Sequence, residues 1–248
     1  MKSGNNQASL SSSVAGIVQS IPDGVVFDYP YFALPKSQES ALAKALSRLS
    51  GQGVIERIAK GKYYKPRNTQ FGKLKPEEEQ IIRMVTYRGD RLVGYLTGLT
   101  QYNRMGLTTQ VPNVLVIGTN DVLPPKKIGN YRIKYSKRQA EITKDNIYLL
   151  QILDSLMDIK TIPDAKVDLT LARILAIIGE LSVSQRNSLP ELAMQYNAAT
   201  RALAGALLEN YFPAAQVKPL KQSLNALTSY RIGIPLKDLP NQSDWNIR

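Results

Sequence analysis

The sequence predicts an α+β protein: a small N-terminal domain of helices and one hairpin, a mixed α/β segment, and a helical C-terminal region. Three observations predict it. Apolar residues recur at helical spacing in two early segments, two β-favouring runs flank a glycine turn before residue 68, and from Asp145 onward the pattern is almost wholly helical. The hydrophobic fraction, 43%, is high enough for a packed core. The expected domains are 1–68 and 76–248, separated by a polar linker over 67–75.

The N-terminal elements follow from local chemistry. Residues 1–7 are polar and expected to fray. A helix is expected across 10–21, ended by Pro22-Asp23-Gly24, and Val25-Val26-Phe27 is a short β-favouring run. Ser37 is the expected N-cap of a helix from Gln38 to about Ser50, whose Ala41, Leu42, Ala45, Leu46 and Leu49 form one apolar stripe. Gly51 and Gly53 stop it. The runs 54–58 and 62–66, around Ala59-Lys60-Gly61, read as a hairpin.

Pro76 followed by Glu77, Glu78 and Glu79 marks the start of a helix expected to reach Arg88, because proline suits the first position and acids suit the dipole. A further helix is expected within 94–104, then strands at 114–117 and 131–135. Helices are expected at 145–157, 168–181, 190–209 and 218–230. The end, 235–248, reads as irregular.

Composition excludes much chemistry. The chain has no Cys and no His, which removes disulfides, thiolate nucleophiles and the commonest base and transition-metal ligand. No cofactor, metal or catalytic role is expected. The run 169–181 contains Arg173 and Glu180 and is too short for a membrane span, and residues 1–7 lack a secretory pattern. A cytoplasmic protein with no membrane partner is the expectation. The net charge of +12 favours a polyanionic partner.

That charge is concentrated locally. Between Lys36 and Lys65 seven cations face only Glu39 and Glu56. The order helix, short strand, short helix, helix, hairpin is that of a winged helix-turn-helix, in which one helix presents a polar face to the major groove and the hairpin lies beside it on phosphates. The expected contacts to double-stranded DNA are Ser37, Gln38, Ser40, Lys44, Ser47 and Arg48 on the helix, and Arg57, Lys60, Lys62 and Lys65 on the hairpin. Serine and glutamine suit base edges; lysine and arginine suit phosphate or guanine. For each element alone the plainer reading is a solvated surface. Their combination carries the expectation.

The segment 31–66, with "ALAKALSRLSGQGVIERIAKGKYYKP" at its heart, resembles the N-terminal winged helix of AbiEi-type antitoxins of bacterial type IV toxin–antitoxin systems. The segment 94–118, "GYLTGLTQYNRMGLTTQVPNVLVIG", resembles the part that follows it in that group. The resemblance implies repression of the protein's own promoter through DNA repeats, a role in phage defence, and opposition to a nucleotidyltransferase-like toxin without a required stable complex. It extends through about residue 135 and assigns no neutralising residue.

Two other functions compete. A magnesium-dependent enzyme would need clustered carboxylates, and the available Asp90, Asp121, Asp154 and Asp158 are scattered in sequence. The helical half, 145–231, with its small residues over 189–208, is also a candidate protein-docking module, although small residues more often serve internal packing. The basic cluster Lys126, Lys127, Arg132, Lys134, Lys137 and Arg138 is either a second polyanion surface or a solvated face.

Overall fold

The computed structural model describes residues 3–213 and 215–248. It is α+β, as expected, and divides into two compact units: residues 1–91 with 127–131, and residues 92–126 with 132–248. The division therefore falls at residue 91, not in a linker at 67–75, and the helix after Pro76 belongs to the first unit.

In the first unit, helix α1 (Ser3–Ser20) begins earlier than expected, since residues 3–7 form its opening turns. Val14 and Val18, four apart, are buried together with Ile21 just past its end. Strand β1 (Val26–Asp28) follows. The expected short second helix is reduced to two 3-10 turns, Tyr29–Phe32 and Lys36–Gln38. Helix α2 (Glu39–Gly51) then buries Leu42, Ala45, Leu46 and Leu49. Its N-cap is Gln38 without a side-chain bond, not Ser37. Gly53, at φ +74°, ends it as expected: only glycine adopts this conformation cheaply, and it lets the Val54 amide reach the Leu49 carbonyl at 3.0 Å.

Strands β2 (Glu56–Ala59) and β3 (Lys62–Tyr64) form the expected hairpin, with a bulge between Arg57 and Ala59. Strand β1 adds to its other side, giving an antiparallel sheet of order β1-β3-β2. Phe27, Phe32, Ile55 and Tyr63 complete a core with the α1 and α2 residues. This is the winged helix-turn-helix arrangement. The supposed linker is itself structured, as hairpin β4 (Arg67–Thr69) and β5 (Gly72–Leu74). Helix α3 (Glu78–Thr86) and the short strand β6 (Tyr87–Arg88) finish the run, before β7 (Arg91–Leu92).

The second unit opens on a strand, β8 (Gly94–Thr97), where a helix is expected; the helix, α4 (Gly98–Arg104), starts only after it. Gly94 lies against the Gly118 carbonyl, 2.8 Å from where a Cβ would sit, so the expected helix start is a close strand contact. Strands β9 (Val114–Thr119), β10 (Lys126–Ile128) and β11 (Tyr131–Lys137) complete a sheet of order β10-β11-β9-β8. β11 runs parallel to β9, and β8 runs antiparallel to β9.

Helices α5 (Ile147–Met157) and α6 (Val167–Glu180) match expectation closely. The expected helix 190–209 is two helices, α7 (Val183–Ala193) and α8 (Ala198–Tyr211). Asn197 restarts the chain by accepting the Thr200 amide at 2.9 Å. Only Lys218–Gln222 of the expected last helix forms, as α9. The tail is irregular apart from the 3-10 turn Gln242–Trp245, as expected, yet it is anchored: Trp245 is fully buried, lies over Gly205 on α8, and donates its indole N–H to Glu209 at 2.7 Å. Ala193, Ala202, Ala204 and Ala206 are buried as well, so these small residues serve internal packing, while Ala198 and Ala199 are half-buried.

Candidate nucleic-acid interface

The polar face of α2 follows from its apolar one. At 100° per residue, Leu42, Ala45, Leu46 and Leu49 share one side, and Ser40, Lys44 and Ser47 lie opposite. Each fully buried leucine contributes roughly 1.5–3 kcal/mol, whereas an exposed ion pair contributes about 0–1. Burial therefore sets the rotation of the helix, and its polar side must face out. Ser40, Lys44, Ser47 and Arg48 are all exposed, as are Ser37 and Gln38 in the preceding 3-10 turn. Arg48, at the flank of this face, reaches Ser11 on α1. Glu39 is also exposed and is the acid that opposes these cations.

The wing is short. Its turn is Lys60-Gly61, with Gly61 at φ +69° and Lys60 exposed. Arg57 is exposed, although its Nε donates to the Ala59 carbonyl at 3.3 Å. The remaining two expected contacts are engaged within the unit. Lys62 pairs with Asp28 at 2.9 Å. Lys65 pairs with Asp23 at 3.1 Å and donates to the carbonyls of Gln19 and Ile21 at 3.3 and 3.2 Å, where a cation suits the C-terminal end of α1. The exposed cations of α2 and the wing that have no carboxylate partner among the described residues are thus Lys44, Arg48, Arg57 and Lys60, not all six.

Glu56 joins the wing to the second hairpin. It accepts a hydrogen bond from the Tyr64 hydroxyl and pairs with Lys73 at 3.3 Å. The Tyr64 bond, assisted by Lys73, holds the Glu56 carboxyl below its ordinary value against the opposing effect of burial. Burial, then the bond to Glu56, pushes the Tyr64 hydroxyl up. Lys73 also donates to the Gly53 carbonyl at 3.2 Å, beside the end of α2. The pattern Thr69-Gln70-Phe71-Gly72 is the only sequence signal for this hairpin, and its strands are too short and polar to show alternation.

The carboxylates considered for catalysis do not form a site. Asp90 and Asp121 are exposed. Asp154 and Asp158 come together at the end of α5, but each is already engaged. Asp154 Oδ2 accepts from Tyr95 at 2.9 Å and Thr97 at 2.6 Å; its Oδ1 accepts from Arg138 at 2.9 Å and Tyr196 at 2.9 Å. Tyr102 donates to Asp158 at 2.6 Å. Burial, chiefly, and then the neighbouring carboxylates push the Tyr95, Tyr102 and Tyr196 hydroxyls up. Asp154 has no exposed side-chain surface and Arg138 is mostly covered, so this is a bracing node for β8, α5, the end of β11 and the segment before α8. Among the described residues, no group of three or more acids is placed to hold a metal.

Arg138 consequently drops out of the basic cluster. Lys126, Lys127, Arg132, Lys134 and Lys137 remain exposed, with Lys126 over the Tyr135 ring. Among the described residues, no helix is long and apolar enough to cross a membrane. A family model, that of a family of unknown function (DUF6088), matches residues 13–181, which is well over half of the chain. A search of the curated proteins finds no match.

Proposed function

We propose that this chain, which belongs to the DUF6088 family of unknown function, is a cytoplasmic, non-catalytic protein that binds duplex DNA through α2 and the β2–β3 wing. One observation carries the reading: the side of α2 opposite its buried stripe is uncovered, and it lies next in sequence to an exposed basic turn. Ser40 and Ser47 supply hydrogen-bonding groups for base edges, and Lys44, Arg48, Arg57 and Lys60 supply charge for phosphates. The resemblance to AbiEi-type antitoxins supports the biological half of the proposal. In it the protein represses its own promoter by binding repeats there, and opposes a nucleotidyltransferase-like toxin.

The test is binding of the purified protein to its own upstream duplex over a salt series. Log affinity is expected to fall linearly with log salt, by a slope of about 0.9 per phosphate met. Ser40→Ala is expected to cost about 1–3 kcal/mol on the preferred sequence and little on random DNA. Binding that ignores salt, or no binding, overturns the proposal. For the antitoxin half, co-expression with the neighbouring toxin candidate should restore growth, and a chain that never does so is not an antitoxin.

A further inference from the structure

Phe71 is 91% exposed, the most exposed aromatic ring among the described residues. It stands in the two-residue turn of the β4–β5 hairpin, on a fixed support. Thr69 pairs with Gly72, its hydroxyl donates to the Gly72 carbonyl at 2.9 Å, and it accepts the Phe71 amide at 3.2 Å. Gly72, at φ +105°, permits the turn. Lys73 ties the hairpin to the Gly53 carbonyl and to Glu56, and so to the end of α2 and the base of the wing. No acidic residue occurs between Arg57 and Pro76. The ring is therefore flanked in sequence by Arg67, Asn68, Gln70, Lys73 and Lys75, with Leu74 the one other exposed apolar side chain of the hairpin. A protein-docking patch would instead gather several apolar side chains around it.

We propose that Phe71 is a wedge for duplex DNA: the second hairpin inserts its ring into the minor groove beside the sequence read by α2, partly unstacking one base step and bending the duplex. Apolar wedges held among basic residues act in this way. This inference rests on the DNA-binding reading above. It assigns α2 the reading of sequence and the second hairpin the reading of deformability.

The experiment compares the full chain with Phe71→Ala and Phe71→Leu on its own upstream duplex. It measures affinity over a salt series, and bending by energy transfer between end labels. Phe71→Ala should lose roughly tenfold in affinity, the scale of one aromatic–base contact. It should keep the salt slope, because a neutral ring releases no counterions, and it should bend the duplex less. Phe71→Leu should retain most of both properties. Thermal stability should not change, since the ring is bare. If the parent binds and bends the duplex and Phe71→Ala does so equally, the wedge is overturned and the DNA-binding proposal stands. A loss of affinity accompanied by a lower salt slope also overturns the wedge. If the parent chain binds no duplex at any salt, both fall.

Discussion

In the first unit, helix α2 turns Ser40, Lys44 and Ser47 to solvent, where they are uncovered. In the second, Asp154 is wholly buried and surrounded by four donors from Tyr95, Thr97, Arg138 and Tyr196. Polar residues occur in both units, but they are available in one and consumed in the other. A buried carboxylate must be hydrogen-bonded and paired, or the cost of taking its charge out of water is not offset. Once so satisfied, it has no lone pair left for a substrate. An exposed serine or lysine on a helix fixed by its opposite face carries no such debt and is free to meet a ligand.

The comparison breaks most readily at Asp154. Asp154→Ala leaves the covered Arg138 guanidinium without its carboxylate and strips the Tyr95 and Thr97 hydroxyls of their acceptor, while Tyr196 keeps only the Leu150 carbonyl. Loss of about 3–5 kcal/mol is expected, read by chemical denaturation. A stability change under 1 kcal/mol would mean that the node is not a brace and would reopen it as a site. Next is Gly205→Ala. A Cβ there would overlap the Trp245 ring, which is buried and tied to Glu209, so overpacking of about 1–3 kcal/mol is expected. A neutral result would show that the tail is not locked to α8.

The wing sharpens the comparison from the other side. Lys60→Ala should lower the salt slope of duplex binding by about 0.9, the value for one phosphate. Lys62→Ala should lower it less, because Lys62 is already paired with Asp28. Equal effects would mean that DNA displaces Asp28.

The smallest expected effect is at Glu56. Its pKa is lowered in the folded state, so its contribution is complete above the ordinary value of 4.5 and is lost as pH falls through the folded value. Glu56→Gln should therefore destabilise by less than about 1 kcal/mol at neutral pH, the scale of an exposed pair. The difference in melting temperature from the parent should vanish in acid. A difference that does not shrink as pH is lowered from 4.5 would refute the ionic account.

Much of the first unit was legible because its signals are local. The stripe Leu42, Ala45, Leu46, Leu49 dictates a helix, Gly53 dictates its end, and Gly61 marks the hairpin. What failed there was charge. Lys62 and Lys65 read as open cations, yet their partners Asp28 and Asp23 lie over thirty positions away, beyond any local pattern. In the second unit the failures were about context. Gly94–Thr97 forms a strand because Gly94 fits against β9, and 190–209 breaks because Asn197 caps a new helix.

The sequence by itself determined the α+β class, the winged-helix order of elements, the two faces of α2 and the absence of Cys and His chemistry. These depend on periodicity and residue type, which act over a few residues. Tertiary structure decided which cations are spent on internal carboxylates, that the stretch 67–75 is a hairpin with Phe71 at its turn, and that Asp154 and Asp158 support the fold. Those outcomes depend on which distant groups meet, and on whether burial forces them to satisfy one another.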